Sequence, residues 1–395
     1  MDSPNDTPLR CIHYMPEIRL ETGGVARMVI DTVQHLGDAG VEVTLVTHDS
    51  TDCPGSWSQP GGNISVVVIP PAKSAPLYVG PALKKQIRQL LDQHDVLHLH
   101  TPWTLLNPAF ATAAQQTRTP YFITLHGMLD DWSMTQSAAK KRWYLKLFGR
   151  KLLEGAASVH CTAESERDQA QQWCPQAKML VLPIIVDLGP YDPQPTPDEA
   201  LQEFPHLQQA GLQLLFLSRV HVKKGLERLL GACSALKQRG IAFQVAIAGP
   251  GEPGYVEQLK AMTRELAIDG QTHWLGMVGG SLKRSLYAAS DAFVLPTSQE
   301  NFGLVYPEAL LCGTPVIATK GTDIWRELEE AGATISDLDA SSVADAIYPL
   351  QAMSHAERTE LGQRGRAYVK RWLDPGQITQ QYVMSYRLAI GALLR

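Results

Sequence analysis

No apolar run in the 395-residue sequence reaches the roughly 20 residues that a bilayer-spanning helix needs, so none is read as a membrane span. Residues 1–8 are polar and acidic instead of basic and then apolar, and no secretory leader is read there. Basic charge is not in surplus: 35 Lys and Arg against 40 Asp and Glu give −5, the opposite of what a nucleic-acid binder needs to displace counterions. The six cysteines (Cys11, Cys53, Cys161, Cys174, Cys233, Cys312) form no CxxC pair and have no histidine at zinc spacing, so they read as reduced thiols and no metal site is expected. No repeat of 20–50 residues is present either. These absences leave a cytoplasmic globular protein with no nucleic-acid partner and no resident metal or cofactor.

What is present is ample core-forming material. Apolar residues are 44% of the chain, too rich for disorder, and the length exceeds one hydrophobic core, which predicts two domains. Short β-branched runs alternate with Gly-rich or polar turns and amphipathic stretches, the pattern of a parallel α/β sheet. Strands are expected at 10–14, 41–47, 65–69, 96–100, 121–125, 158–161 and 179–182. Prolines at 190, 193, 195 and 197 then read as a linker. The alternation restarts with strands expected at 213–217, 243–248, 273–275, 292–295 and 315–318. The fold class is therefore two doubly wound, Rossmann-like α/β domains, with ligands expected in the cleft that their strand ends face. The boundaries expected are 1–188, 189–372 and a closing helix, 373–395, that crosses back onto the first domain.

The segment from Ser298 to Glu308, SQENFGLVYPE, carries the most chemistry. Glu300 and Glu308 stand eight positions apart across a junction between the loop after strand 292–295 and a helix starting near Leu304. The main-chain N–H groups of Asn301, Phe302, Gly303 and Leu304 lie where a helix N-terminus stabilises an anionic phosphate, and Gly303 permits close approach. Glu308, one turn into the helix, suits the two hydroxyls of a ribose, and Glu300 suits a transferred sugar. Taken alone, the same acids also fit a solvated loop residue and a complement to the helix dipole.

With its surroundings, ENFGLVYPEALLCGTPVIATKGT, the Glu300-x7-Glu308 pattern resembles the retaining nucleotide-sugar glycosyltransferases of family four, which have the GT-B architecture. Other segments agree with that resemblance. Ser218-Arg219-Val-His-Val-Lys-Lys224-Gly is similar to the family's arginine–lysine clamp on the donor diphosphate, Thr22-Gly23-Gly24-Val25 to its glycine loop, and Thr124-Leu-His126-Gly127 to the histidine that reaches the sugar or the acceptor. Gly249-Pro-Gly251 and Gly276-Met-Val278 resemble its two loops around the nucleotide base, with Val278 in the second.

The resemblance implies transfer of a hexose from a nucleotide-diphosphate sugar, as substrate and not as cofactor, with retention of configuration and without a metal. Glu300 and His126 would act in catalysis. Gly23, Gly24, Arg219, Lys224, Val278, Asn301, Phe302, Gly303, Leu304 and Glu308 would bind substrate. The acceptor implied is a saccharide or a lipid-linked saccharide, as in polysaccharide synthesis. A small-molecule acceptor is the alternative, and so is a non-catalytic nucleotide-sugar binder. Residues 138–157, AAKKRWYLKLFGRKLLEGAA, combine six cations with Trp143, Tyr144 and Phe148. Such a helix either lies peripherally on the inner face of an anionic membrane or packs its aromatic side on the sheet with its charges in water.

Overall fold

The computed structural model describes residues 8–59, 61–70 and 79–393, without the side chains of Thr22 and Ser58. All of the polar stretch 1–8 except Pro8 lies outside the described residues. The chain forms two compact units: unit 1 takes the residues up to Asp187 and those from Leu373 onward, and unit 2 is Leu188–Trp372.

Unit 1 is built on seven strands: β1 (Arg10–Tyr14), β2 (Glu42–Thr47), β3 (Ile64–Val68), β4 (Val96–His100), β5 (Tyr121–Thr124), β6 (Ser158–Cys161) and β7 (Met179–Val181). All pair in parallel, in the order β3-β2-β1-β4-β5-β6-β7. The order reverses between β1 and β4, which is where loops from two strand ends diverge. Helices cover the sheet, so β4 is buried along its whole length. The helix Gly24–Asp38 shows how they attach: Ala26, Val29, Ile30, Val33 and Leu36 recur at helical spacing and are buried.

Unit 2 repeats the plan with β8 (Leu212–Leu217), β9 (Phe243–Ala248), β10 (Thr272–Gly276), β11 (Ala292–Val294), β12 (Val316–Thr319) and β13 (Thr334–Ser336). The order is β10-β9-β8-β11-β12-β13, again parallel, with the reversal between β8 and β11. Each of the twelve expected strands forms within one residue at either end. β13 was not expected: it is three residues long and sits at the sheet edge, too short to show an alternation.

Residues 138–157 do not form one regular helix. The helix Ala138–Tyr144 passes through a π-helical turn, Leu145–Gly149, into the helix Arg150–Glu154. The wider turn shifts the apolar stripe. Leu145, Leu152 and Leu153 join the core of unit 1, while Trp143 is 57% and Leu147 46% exposed among the cations. No described helix is long and apolar enough to cross a membrane.

Candidate functional site

In unit 2 the loops leaving β8 and β11 flank the switch point and are stitched together by their main chains. Ser298 N–H donates to the Lys223 carbonyl at 2.8 Å, and the Thr297 hydroxyl reaches the same oxygen at 3.0 Å. Arg228 donates to Pro296 O (2.9 Å) and Ser298 Oγ (2.8 Å). Gly225, at φ +69°, lies so close to the Pro296 carbonyl that a Cβ would collide with it, so the turn after Lys224 requires glycine.

That stitching delivers Lys224 to Glu300. Their side chains form an ion pair and are only 12% and 20% exposed. Burial, followed by the nearby charges of Lys223 and Arg219, lowers the pKa of the Lys224 ammonium from its ordinary value; the carboxylate it pairs with favours the charged form. The Glu300 main chain is held from the far side as well: its N–H donates to Gly321 O at 2.7 Å and its carbonyl accepts from Asp323 N–H at 2.9 Å. Arg219 also lines a neighbouring cavity of about 430 Å³ with His221, Gly251 and Tyr255.

The residues between the two glutamates divide into two kinds. The Asn301 amide donates to Asp323 Oδ2 (3.0 Å), and Phe302 is 1% exposed with its ring stacked on Trp372 at 5.3 Å. The Phe302 side chain is therefore core, and only its main chain is left for a ligand. Gly303 holds φ +62°, with Glu300 Cγ and the Tyr306 ring each 2.8 Å from where its Cβ would be. Leu304 precedes the helix Val305–Leu311, whose Tyr306 hydroxyl donates to the last carbonyl beside β11, Leu295 O, at 3.0 Å.

Glu308, in this helix, meets two donors that the sequence reading did not anticipate. Lys283 Nζ lies 2.8 Å from Oε1, and the Tyr287 hydroxyl donates to Oε2 at 3.4 Å. Both stand one turn apart on the helix Gly280–Ala288, so their Lys-x3-Tyr spacing is the signal that was available. Tyr191 also hydrogen-bonds this carboxylate, and of its roughly four lone-pair sites part of the capacity remains for a ligand hydroxyl. Val278, in the loop that leads to this helix, is buried, whereas Met277 before it is 75% exposed.

In unit 1, Gly23 and Gly24 lie at the start of the helix Gly24–Asp38. Gly23, the N-cap residue, has φ +127° and no side chain to cap the helix, whose first-turn N–H groups lie at this end. His126 follows β5 in the left-handed region, at φ +53°, a strained position for a non-glycine residue. The next N–H, of Gly127, donates to the buried Glu166 carboxylate at 2.5 Å, which also accepts from Thr162 N–H and Oγ–H. His126 is buried, and its Nε2 lies 3.1 Å from His100 Nδ1. The structure thus gathers Arg219, Lys224, Glu300, Gly303 and Leu304, with Glu308 a turn further on, at one end of the unit 2 sheet. In unit 1, His126 stands just past the end of β5, and Gly23 and Gly24 open the helix that follows β1.

His126 is one of five buried imidazoles in unit 1 that burial holds below the ordinary value of 6.5: His13 and His126 to about 3, His160 to about 4, His98 and His100 well below it. Below 6.5 the unfolded chain binds protons that the folded unit refuses. The stability they carry is complete above 6.5 and is lost as pH falls, by up to about 1.4 kcal/mol per pH unit per group. Denaturant melts should show unit 1 weakening steeply between pH 6.5 and 4; a flat profile there would contradict neutral burial of these rings.

Two family models match the chain: "Glycosyl transferase 4-like domain" over residues 23–184 and "Glycosyl transferases group 1" over residues 198–367. Among curated proteins, it is 24% identical to an alpha-monoglucosyldiacylglycerol synthase of Streptococcus pneumoniae over 67% of this chain, spanning 65% of that protein's length. It is 27% identical to a phosphatidyl-myo-inositol mannosyltransferase of Mycolicibacterium smegmatis over 82% of this chain and 80% of the other. Among solved structures, Anabaena Alr3699/HepE in complex with UDP superposes with a TM-score of 0.76 at 19% identity, over 96% of this chain and 99% of that one.

Proposed function

The chain belongs to the family-four glycosyltransferases of GT-B architecture, and on that premise we propose that it moves a hexose from a nucleotide-diphosphate sugar to a saccharide or lipid-linked saccharide with retention of anomeric configuration. The observation that carries this reading is the Lys224–Glu300 pair at the β8/β11 switch point, with the Arg219 charge beside it. A departing diphosphate gains negative charge as the bond to C1 breaks, and two cations already in place stabilise that charge more in the transition state than in the bound donor. Lys224 then exchanges its carboxylate partner for phosphate, which frees Glu300 to accept a hydroxyl of the transferred sugar. Glu308 takes the ribose. The acceptor hydroxyl gives its proton to a phosphate oxygen of the leaving group, and the new bond to C1 forms on the face that the diphosphate leaves. The cations serve the diphosphate without a metal ion.

Two curated relatives are named for lipids, diacylglycerol and phosphatidyl-myo-inositol, others for D-inositol 3-phosphate, and the surface of unit 1 favours the lipid class. Trp143 and Leu147 project among Lys140, Arg142, Lys146 and Arg150, an arrangement suited to peripheral contact with anionic lipid.

The test is thermal stabilisation by a panel of nucleoside diphosphates and their sugars, with magnesium and with a chelator. One base family should stabilise the protein by about 2.7 kcal/mol at a hundred times its Kd, equally in both conditions. Absence of any shift at millimolar nucleotide would remove the donor site from unit 2.

A further inference from the structure

Unit 1 contains a polar chain that the transfer chemistry above does not use. β1, β4, β5 and β6 are neighbours in the sheet, and they contribute His13, His98 and His100, Thr124, and His160. Alternation along β4 puts His98 and His100 on the same face, where their rings stack at 4.8 Å and 2°. Tyr386, from the helix Pro375–Leu393, joins them. Every one of these side chains is buried.

The contacts form one connected sequence, with the Tyr382 hydroxyl as a longer side branch 3.4 Å from His160 Nδ1 and 3.3 Å from its Nε2. His160 Nε2 lies 2.9 Å from the Leu182 carbonyl, and Thr124 Oγ1 lies 2.8 Å from His160 Nδ1 and 2.6 Å from His98 Nε2. The Tyr386 hydroxyl lies 2.6 Å from His98 Nδ1 and 3.4 Å from His13 Nε2. His13 Nδ1 lies 3.0 Å from His100 Nε2, and His100 Nδ1 lies 3.1 Å from His126 Nε2.

A neutral imidazole has one N–H and one lone pair, and these rings are held neutral by burial. A carbonyl only accepts, so His160 carries its proton on Nε2 and its Nδ1 accepts from the Thr124 hydroxyl. The Thr124 oxygen then accepts from His98 Nε2–H, and the bare His98 Nδ1 accepts from the Tyr386 hydroxyl. The Tyr386 oxygen accepts from His13 Nε2–H, His13 Nδ1 from His100 Nε2–H, and His100 Nδ1 from His126 Nε2–H. Reversing one link would set two lone pairs or two N–H groups against each other in a buried place. At the far end His126 Nδ1 is left bare, and it is buried with no protein partner among the described residues. A buried polar atom without a partner calls for an explanation.

We infer that the Leu182 carbonyl, through His160, Thr124, His98, Tyr386, His13 and His100, fixes the tautomer of His126, so that His126 presents a bare Nδ1 as acceptor to a ligand hydroxyl. The six intervening residues are positioning residues. A neutral lone pair selects a hydroxyl donor and offers nothing to an anion. That the hydroxyl belongs to a sugar rests on the transferase reading above; the proton order does not.

The test is 15N–1H correlation of the imidazoles in the whole protein, which separates a protonated ring nitrogen from a bare one by chemical shift. His126 should be a single species protonated on Nε2. Thr124→Val cuts the sequence between His98 and His160 and should leave His126 as a mixture of tautomers, while Thr124→Ser should restore the single species. His126 protonated on Nδ1 in the unaltered protein overturns the inference, and that measurement needs no variant to fold. So does a folded Thr124→Val protein whose His126 is unchanged. In the same variants, affinity for a nucleotide sugar relative to its free nucleoside diphosphate should fall with Val by the reciprocal of the fraction of His126 still protonated on Nε2, about twofold for an even mixture, and recover with Ser. The ordered tautomer without that selectivity would confirm the inference and count against the sugar assignment alone.

Discussion

Replacing Glu300 by glutamine should lower transfer by about a hundred- to a thousandfold, the range seen when one group that stabilises a transition state is removed. Glutamine keeps the shape of the side chain. The main-chain bonds of residue 300 to Gly321 and Asp323 do not involve the carboxylate, so the loop has no reason to collapse. What changes is Lys224, which loses its counter-charge. Burial makes the Lys224 ammonium give up its proton more readily than usual, so the variant should melt closest to the parent at high pH, and as pH falls the ammonium is held and the parent keeps a pair that the variant lacks. The gap in stability should widen in that direction, towards about 3 kcal/mol at most for so partly buried a pair. Turnover with donor and acceptor, together with melts at pH 6 and 8.5, reads both effects. Near-normal turnover would remove Glu300 from the chemistry.

Glu308→Ala should weaken binding of the nucleoside diphosphate by about ten- to a hundredfold, from the loss of charge-assisted bonds to the ribose at about 1.5–3 kcal/mol each. Calorimetry with inorganic pyrophosphate provides the control. Pyrophosphate has no ribose, and the Lys283 left by the substitution remains a cation, so its affinity should hold or rise. Equal losses for both ligands would mean that Glu308 acts on the phosphates, and no loss for either would return it to a plain partner of Lys283 and Tyr287.

The strands were legible because a strand of a parallel sheet covered on both faces is a short apolar run closed by glycine, proline or a polar turn. Val96–His100 and Phe243–Ala248 formed at the residues expected. Local pattern could not show the π turn at Leu145–Gly149, because one extra residue in a turn leaves no mark on composition. In the site, the sequence showed which loops carry chemistry but not how their side chains pair. Lys224 and Glu300 are 76 positions apart, Asn301 is drawn to Asp323, and Phe302 turns inward to Trp372. The His98-x-His100 alternation was readable on β4, but its link to Tyr386 spans 288 positions and only the tertiary fold shows it.

Unit 1 is interrupted in sequence: β7 ends at Val181, and the helix that buries Ile378, Tyr382 and Tyr386 begins only at Pro375, after all of unit 2. On a ribosome adding about 5–20 residues per second, roughly 10–40 s separate the two. Unit 2, continuous in sequence, can close first, although it is synthesised second. Through that interval the nascent sheet of unit 1 keeps its histidine-bearing face without Tyr386, so a helix translated after unit 2 completes a domain started before it.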